Sequence, residues 1–234
     1  ILLAALALAG AAFAFVGAYV ASAGNVFAIK IQERGLSVLV SNAWGMGYGA
    51  AIVAALSLAL HEPWTLPLAL LILGNRQRAL GNILHDAAHG NLTRHRLVND
   101  LVARALIAPL LFLSLSHYRD LHSRHHVDLG AQGTDPDLIP IPPEKARSWV
   151  AAVSINALSI RAVLGSTFGH LQDLNVPLAA RLYIVAWWSA LVGAVAAATG
   201  AGPAVTVLAL WLAARATVFH LITTLREMCD HFGL

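Results

Sequence analysis

With one cysteine, Cys229, in 234 residues, the chain cannot build a disulfide framework or a thiolate metal cage. Any metal it binds must be held by nitrogen and oxygen. Charge is scarce as well: 12% of residues are charged against 58% hydrophobic, and the mean hydropathy is +0.69. That balance lies outside the range of soluble domains and points to an integral membrane protein. No basic stripe with interleaved aromatics accompanies the net charge of +3, which excludes a nucleic-acid surface. The arginines gather near histidines instead, as on the cytoplasmic face of membrane proteins. Neither an internal repeat nor a second soluble domain is visible.

What the sequence does have is apolar runs. Residues 1–24 are alanine-rich and long enough, at about 1.5 Å per residue, to cross a hydrocarbon core of about 30 Å. They lack the basic start of a signal sequence; a helix buried against the others or lying in the interface is the alternative. Lys30, Gln32, Glu33 and Arg34 then form a polar loop. Further runs cover 36–60, 65–84, 177–199 and 204–225, with turns at His61-Glu62-Pro63-Trp64 and Gly200-Ala201-Gly202-Pro203. Asp100, Arg104 and Pro109 interrupt residues 99–116, which suits a helix lying along the membrane surface or dipping into it. Residues 144–173 read as an amphipathic interfacial segment in which His170 is a surface residue, with a ligand as the alternative. His95, in the polar turn 91–96, reads as a solvated loop residue, with an accessory ligand as the alternative, and 130–143 is a breaker-rich loop. The two turns near 61 and 200 hold one charged residue between them, while the histidine-bearing segments hold most of the arginine. The histidine face is therefore expected in the cytoplasm.

The chemistry lies in the histidines. On a helix, His122, His125 and His126 stand at i, i+3 and i+4, so their imidazoles leave one face and can converge on one ion. Composition alone would give an HxxHH spacing about 0.02 times in such a chain, but HxxxH about 0.5 times, so the triple carries the signal and the pair His85 and His89 does not by itself. Together with His231 these are too many imidazoles for one tetrahedral zinc; they suit two iron ions with open positions for dioxygen. No Glu follows His85, which excludes the zinc-protease HExxH. Haem and chlorophyll want isolated histidines inside the bilayer, whereas these lie at helix ends. His220 falls within a run and either shares the inner face or is a buried, hydrogen-bonded histidine. Asp86, Asp120, Asp230 and Glu227 could accept from ligand imidazoles, ligate directly, or pair with Arg226 or Arg119. Asp135 and Asp137 either position the loop and its histidines or only solvate it.

These pieces occur in a specific order. Gly74-Asn75-Arg76-Gln77-Arg78 leads into His85-Asp86-Ala87-Ala88-His89-Gly90. His122-Ser123-Arg124-His125-His126 follows, with Gly133-Thr134-Asp135-Pro136-Asp137 downstream and Arg226-Glu227-Met228-Cys229-Asp230-His231-Phe232-Gly233 at the end of the last run. The set resembles the membrane fatty acid desaturase superfamily, which includes acyl hydroxylases and carotenoid ketolases and hydroxylases. The resemblance covers about 36–234, leaving 1–35 as an extra apolar segment and loop.

The resemblance implies an all-α integral membrane fold. Four core transmembrane helices, here with an extra N-terminal one, would carry interfacial helices and a cytosolic histidine-rich cap. His85 and His89 would be the first histidine box, His122, His125 and His126 the second, and His231 a further ligand of a di-iron centre. The implied reaction uses O2 and electrons from a ferredoxin, a cytochrome or a reductase to desaturate a long-chain acyl lipid in a bacterial-type inner membrane. Hydroxylation or ketolation of a carotenoid or other apolar lipid is the first alternative. A non-catalytic subunit of a larger membrane complex is the second. The family's third box follows the last helix; the sequence stops at Leu234 before it, so the box is expected beyond that point.

Overall fold

The computed structural model describes residues 65–139 and 148–232, without the side chains of 65 and 230–232. The runs 1–24 and 36–60, the loop between them and His61 lie outside the described residues. All regular structure described is helical.

Helix α1 (Thr65–Ala88) packs against Ala103–Ile107 and Leu115–Val127 on the one hand and Ala201–Ala214, Arg215–Phe219 and His220–Phe232 on the other. The short helix α2 (Arg96–Val102) runs on through a π-turn, Ala103–Ile107, into a 3-10 turn, Pro109–Leu111. It ends at Phe112, which takes the left-handed conformation with φ 57°. Helix α3 (Leu115–Val127) then leaves at 86° to this broken helix. Leu80, Ile83, Leu84 and Ala87 of α1 pack with Ala103, Ile107, Leu111 and Leu115, forming the apolar core that joins these elements.

Two further helices, α4 (Trp149–Ala157) and α5 (Ile160–Gln172), meet at 58°. Each is capped by a serine hydroxyl, Ser148 and Ser159, accepting from a backbone N–H three residues on. Helix α6 (Leu178–Thr199) turns at Gly200, φ 93°, into α7 (Ala201–Ala214). The chain continues through a second π-turn, Arg215–Phe219, into α8 (His220–Phe232). Leu178–Thr199 and Ala201–Cys229 are long and apolar enough to cross a membrane; counting each bent pair as one span brings the number to four. Neither bent pair makes a straight crossing. The protein is thus an all-α, membrane-associated fold.

Two features fix how these helices meet. At Gly74, α1 crosses the second π-turn so closely that a Cβ there would lie 2.5 Å from Val218 Cβ and 2.9 Å from Phe219 N. Beside this crossing Arg215 is buried, donating to the carbonyls of Ser166 (2.9 Å) and Thr167 (3.4 Å) next to a kink at Phe168, with its guanidinium 4.4 Å from the Phe219 ring centre.

The broken helix is the second. Departures from α-helical bonding leave backbone carbonyls in need of donors, which a hydrocarbon environment cannot supply. Aromatic side chains of α6 and α7 provide them. Tyr183 Oη donates to Arg104 O (3.3 Å), Trp187 Nε1 to Ala105 O (2.8 Å), Trp188 Nε1 to Pro109 O (2.8 Å) and Trp211 Nε1 to Leu110 O (3.0 Å).

Candidate metal centre

The site begins where α1 stops. Gly90, φ 79°, allows the chain to reverse: Gly90 N donates to Ala87 O and Asn91 N to Asp86 O, a Schellman termination that leaves His89 at the helix end. Two other residues tie down this end. Buried Asn99 of α2 donates to Ala87 O (2.9 Å) and accepts from Leu92 N (3.1 Å). Arg119 of α3 reaches across to the carbonyls of Ala88 (3.0 Å) and Ala87 (3.1 Å) and pairs with Asp100 at 2.7 Å. A cation is favoured at a helix C-terminus, and this one belongs to the helix bearing the second histidine group. Arg119 therefore sets the two histidine helices relative to one another.

Arg119, aided by Asn99, holds the Asp100 carboxyl well below the usual carboxylate range, at about 2, although burial opposes this. Because the folded value is depressed, the pair stabilises the fold above the ordinary value of 3.8 and loses that contribution as pH falls from there towards about 2. Asp100→Asn is expected to flatten the acid limb of stability across that window, measured by thermal melts in detergent at stepped pH.

The result is a convergence of imidazoles. His85 and His89 of α1 and His122 and His126 of α3 each offer a ring nitrogen, all within 4.8 Å of one another. The Nε2 atom of His122 lies 3.0 Å from those of both His89 and His126, which are 3.3 Å apart. The His85 ring centre is 4.6 Å from that of His122. His122 is buried, His85 half-buried, and His89 and His126 are exposed. The Tyr118 ring stacks on His122 at 5.6 Å between centres.

Burial, with four neighbouring imidazoles, pushes His122 down to about 4, so at neutral pH its ring is uncharged, the form able to ligate a metal. Burial and the adjacent imidazoles lower His89 too. A cation placed among these nitrogens satisfies lone pairs that protons cannot occupy together. Four imidazoles and no thiolate are a donor set that iron accepts.

His125 takes a different environment. Its Nδ1 lies 2.8 Å from Asp135 Oδ1, and Asp137 Oδ2 is 3.9 Å away. Burial works against the Asp135 carboxylate, but hydrogen bonds from His125, Gly130 N and Asp137 N outweigh it and hold the group at about 2. A carboxylate on one ring nitrogen is the arrangement that orients a metal-binding histidine. Asp135→Asn is expected to weaken metal retention roughly 10–100-fold. Titration with a competing chelator measures it.

The remaining candidates fall in several places. Asp86 is 3.5 Å from His85 Nδ1. Glu227 lies 3.4 Å from Arg226. Asp120 is exposed and belongs to none of the described hydrogen bonds or ion pairs. Asp230 and His231 are on α8, and their side chains lie outside the described residues. His220 does not join the cluster: its Nδ1 is 2.9 Å from Ser166 Oγ and its Nε2 3.2 Å from Asn156 O, so α4 and α5 engage both nitrogens. His170, expected at the surface, is instead buried and accepts from Ser114 N at 3.0 Å. The 86° bend turns Ser114 towards α5, which a helical-periodicity argument does not anticipate. Arg119, Asn99 and Tyr118 have structural roles that the histidine spacing did not reveal. Only the position of Arg119, three residues before His122 on the same helical face, could have signalled its part.

A sequence profile of the fatty acid desaturase family matches residues 62–234, and the chain belongs to that family. It is 31% identical over 106 residues to the sn-1 oleoyl-lipid 12-desaturase of Anabaena variabilis, covering 45% of this chain and 28% of that protein. It is 36% identical over 118 residues to the dihydrorhizobitoxine desaturase of Bradyrhizobium elkanii, covering 48% and 34%. With the chloroplastic omega-6 fatty acid desaturase of Brassica napus it shares 30% over 123 residues, 52% and 26% of the two chains. The matches thus span about a third or less of these relatives. No solved structure matches.

Proposed function

We propose that this chain is the core of a membrane di-iron oxygenase that introduces a double bond into a long-chain acyl lipid. The supporting observation is the convergence of His85, His89, His122 and His126 at the ends of two helices tied together by Arg119. On this reading these four, with His125 backed by Asp135 and His231 at the end of α8, are ligands from this chain. Two irons bound there would supply the activation of dioxygen and the oxidation of an unactivated C–H pair.

The protein's own groups serve that chemistry in definite ways. Burial keeps His122 uncharged, the form that ligates. Asp135 holds His125 Nδ1 and fixes which nitrogen points away from the loop. On this reading a ferredoxin, a cytochrome or a reductase delivers electrons from the cytoplasm, a route that the exposure of His89 and His126 supports. The names of two relatives, an oleoyl-lipid and a fatty acid desaturase, support an acyl substrate.

The test is metal and product analysis of the whole protein, purified from its own membrane and supplied with a reductant. About two irons per chain with little zinc, and O2-dependent desaturation of acyl lipids, is the expected result. Hydroxylated or ketolated products would reassign the reaction. Reproducible absence of iron after anaerobic ferrous reconstitution would point to a non-catalytic subunit.

A further inference from the structure

A cleft of about 270 Å³ lies between the broken helix, the start of α3 and the first turns of α6. Its lining divides by chemistry. Arg104, Ser114, Ser116 and Tyr183 supply a cation and hydroxyls, whereas Ala180 and Ile184 are among the apolar residues of the wall. Asp100, one turn before Arg104, is held by Arg119 at 2.7 Å; Arg104 acts on that carboxylate only through space and makes no contact ion pair among the described residues. Tyr183 Oη donates to the backbone of Arg104, fixing the main chain that presents the guanidinium. The Ser114 and Ser116 hydroxyls stand 3.1 Å apart, so one donates to the other and one proton is left to give outward. Arg181, next to Ala180, has a shielded Nε with no hydrogen-bond partner.

Location selects the ligand. Ala180, Tyr183 and Ile184 belong to the first two turns of Leu178–Thr199, the boundary end of a candidate membrane span, where an aromatic and an arginine meet the headgroup layer. A guanidinium with one free hydroxyl donor above an apolar wall matches a phosphodiester attached to acyl chains. We propose that this cleft binds the phosphodiester headgroup of an anionic membrane phospholipid. The site shares no residue with the four-histidine cluster, and the proposal does not depend on metal.

The experiment places the full-length protein in nanodiscs of phosphatidylcholine, with or without phosphatidylglycerol, and counts retained lipids by native mass spectrometry. The variants are Arg104→Gln; Ala180→Trp, which fills the cleft and leaves its charge; and Arg161→Gln, an exposed arginine elsewhere. Wild type and Arg161→Gln are expected to retain phosphatidylglycerol over phosphatidylcholine. Arg104→Gln and Ala180→Trp are expected to lose that preference about five- to tenfold. If Arg104→Gln does not fold, Ala180→Trp decides. Equal losses in Arg104→Gln and Arg161→Gln, or no preference in wild type, would overturn the proposal in favour of diffuse attraction or none. Displacement of the lipid by millimolar glycerol 3-phosphate or inorganic phosphate would overturn the lipid assignment and leave a soluble phosphate as the ligand.

Discussion

His122→Ala is expected to leave the helices folded and strip the protein of metal. His122 is the buried member of the four-imidazole group, 3.0 Å from both His89 and His126, so its removal opens the centre of the cluster rather than its edge. Loss of a ligand should exceed the roughly 10–100-fold cost of losing a supporting partner, which places residual activity near background. Helix content by circular dichroism and elution as a single species establish that the fold survives. Iron per chain then reads the site. His220→Ala is the matched comparison, since that imidazole is spent on Ser166 and Asn156, and its iron content should stay at the wild-type level. Stoichiometric iron in His122→Ala would remove the second box from the centre.

The largest expected effect on stability comes from one methyl group. Gly74→Ala improves helix propensity by about 1 kcal/mol, which alone would stabilise α1. Against this, the new Cβ would stand 2.5 Å from Val218 Cβ, 2.7 Å from Val218 Cγ1 and 2.9 Å from Phe219 N. A rotamer change can move Cγ1, but the other two contacts yield only if the π-turn shifts. Overpacking of this kind costs about 1–3 kcal/mol and occasionally more, so the net sign is destabilising. Arg215 and Phe219 share that turn, and displacing it disturbs the buried guanidinium. Gly74→Ala should melt below wild type in detergent, and adding Val218→Ala should rescue little, because it removes Cγ1 and leaves Cβ. A melting point equal to or above wild type would show that the crossing is looser than described.

The features that sequence made legible are those written in composition and local spacing. The run 65–84 leading into His85 and His89 follows from apolar continuity, and the structure carries it as one helix to Ala88. Family membership was readable because the histidines and their Gly-Asn-Arg and Gly-Thr-Asp-Pro companions stand in a fixed order. The turn at Gly200 was readable because glycine and proline are local punctuation.

What stayed hidden depends on partners distant in the chain. A helical wheel presumes constant geometry, and the π-turns at Ala103–Ile107 and Arg215–Phe219 alter it. Arg119 reads as a pairing partner for a neighbouring carboxylate until α1 supplies carbonyls 31 and 32 residues away. His170 reads as solvated until Ser114, 56 residues before it, arrives with an N–H to donate. In each case the decisive contact belongs to tertiary packing, which periodicity does not encode.

The indole donors that hold the broken helix also make it visible to light. Three of the chain's six tryptophans, Trp187, Trp188 and Trp211, have their N–H groups committed to carbonyls of one short segment, residues 105–110. Indole emission is sensitive to that bond and to local polarity. Because this segment also leads into the helix bearing the second histidine group, intrinsic fluorescence becomes a built-in gauge of its position, requiring no label.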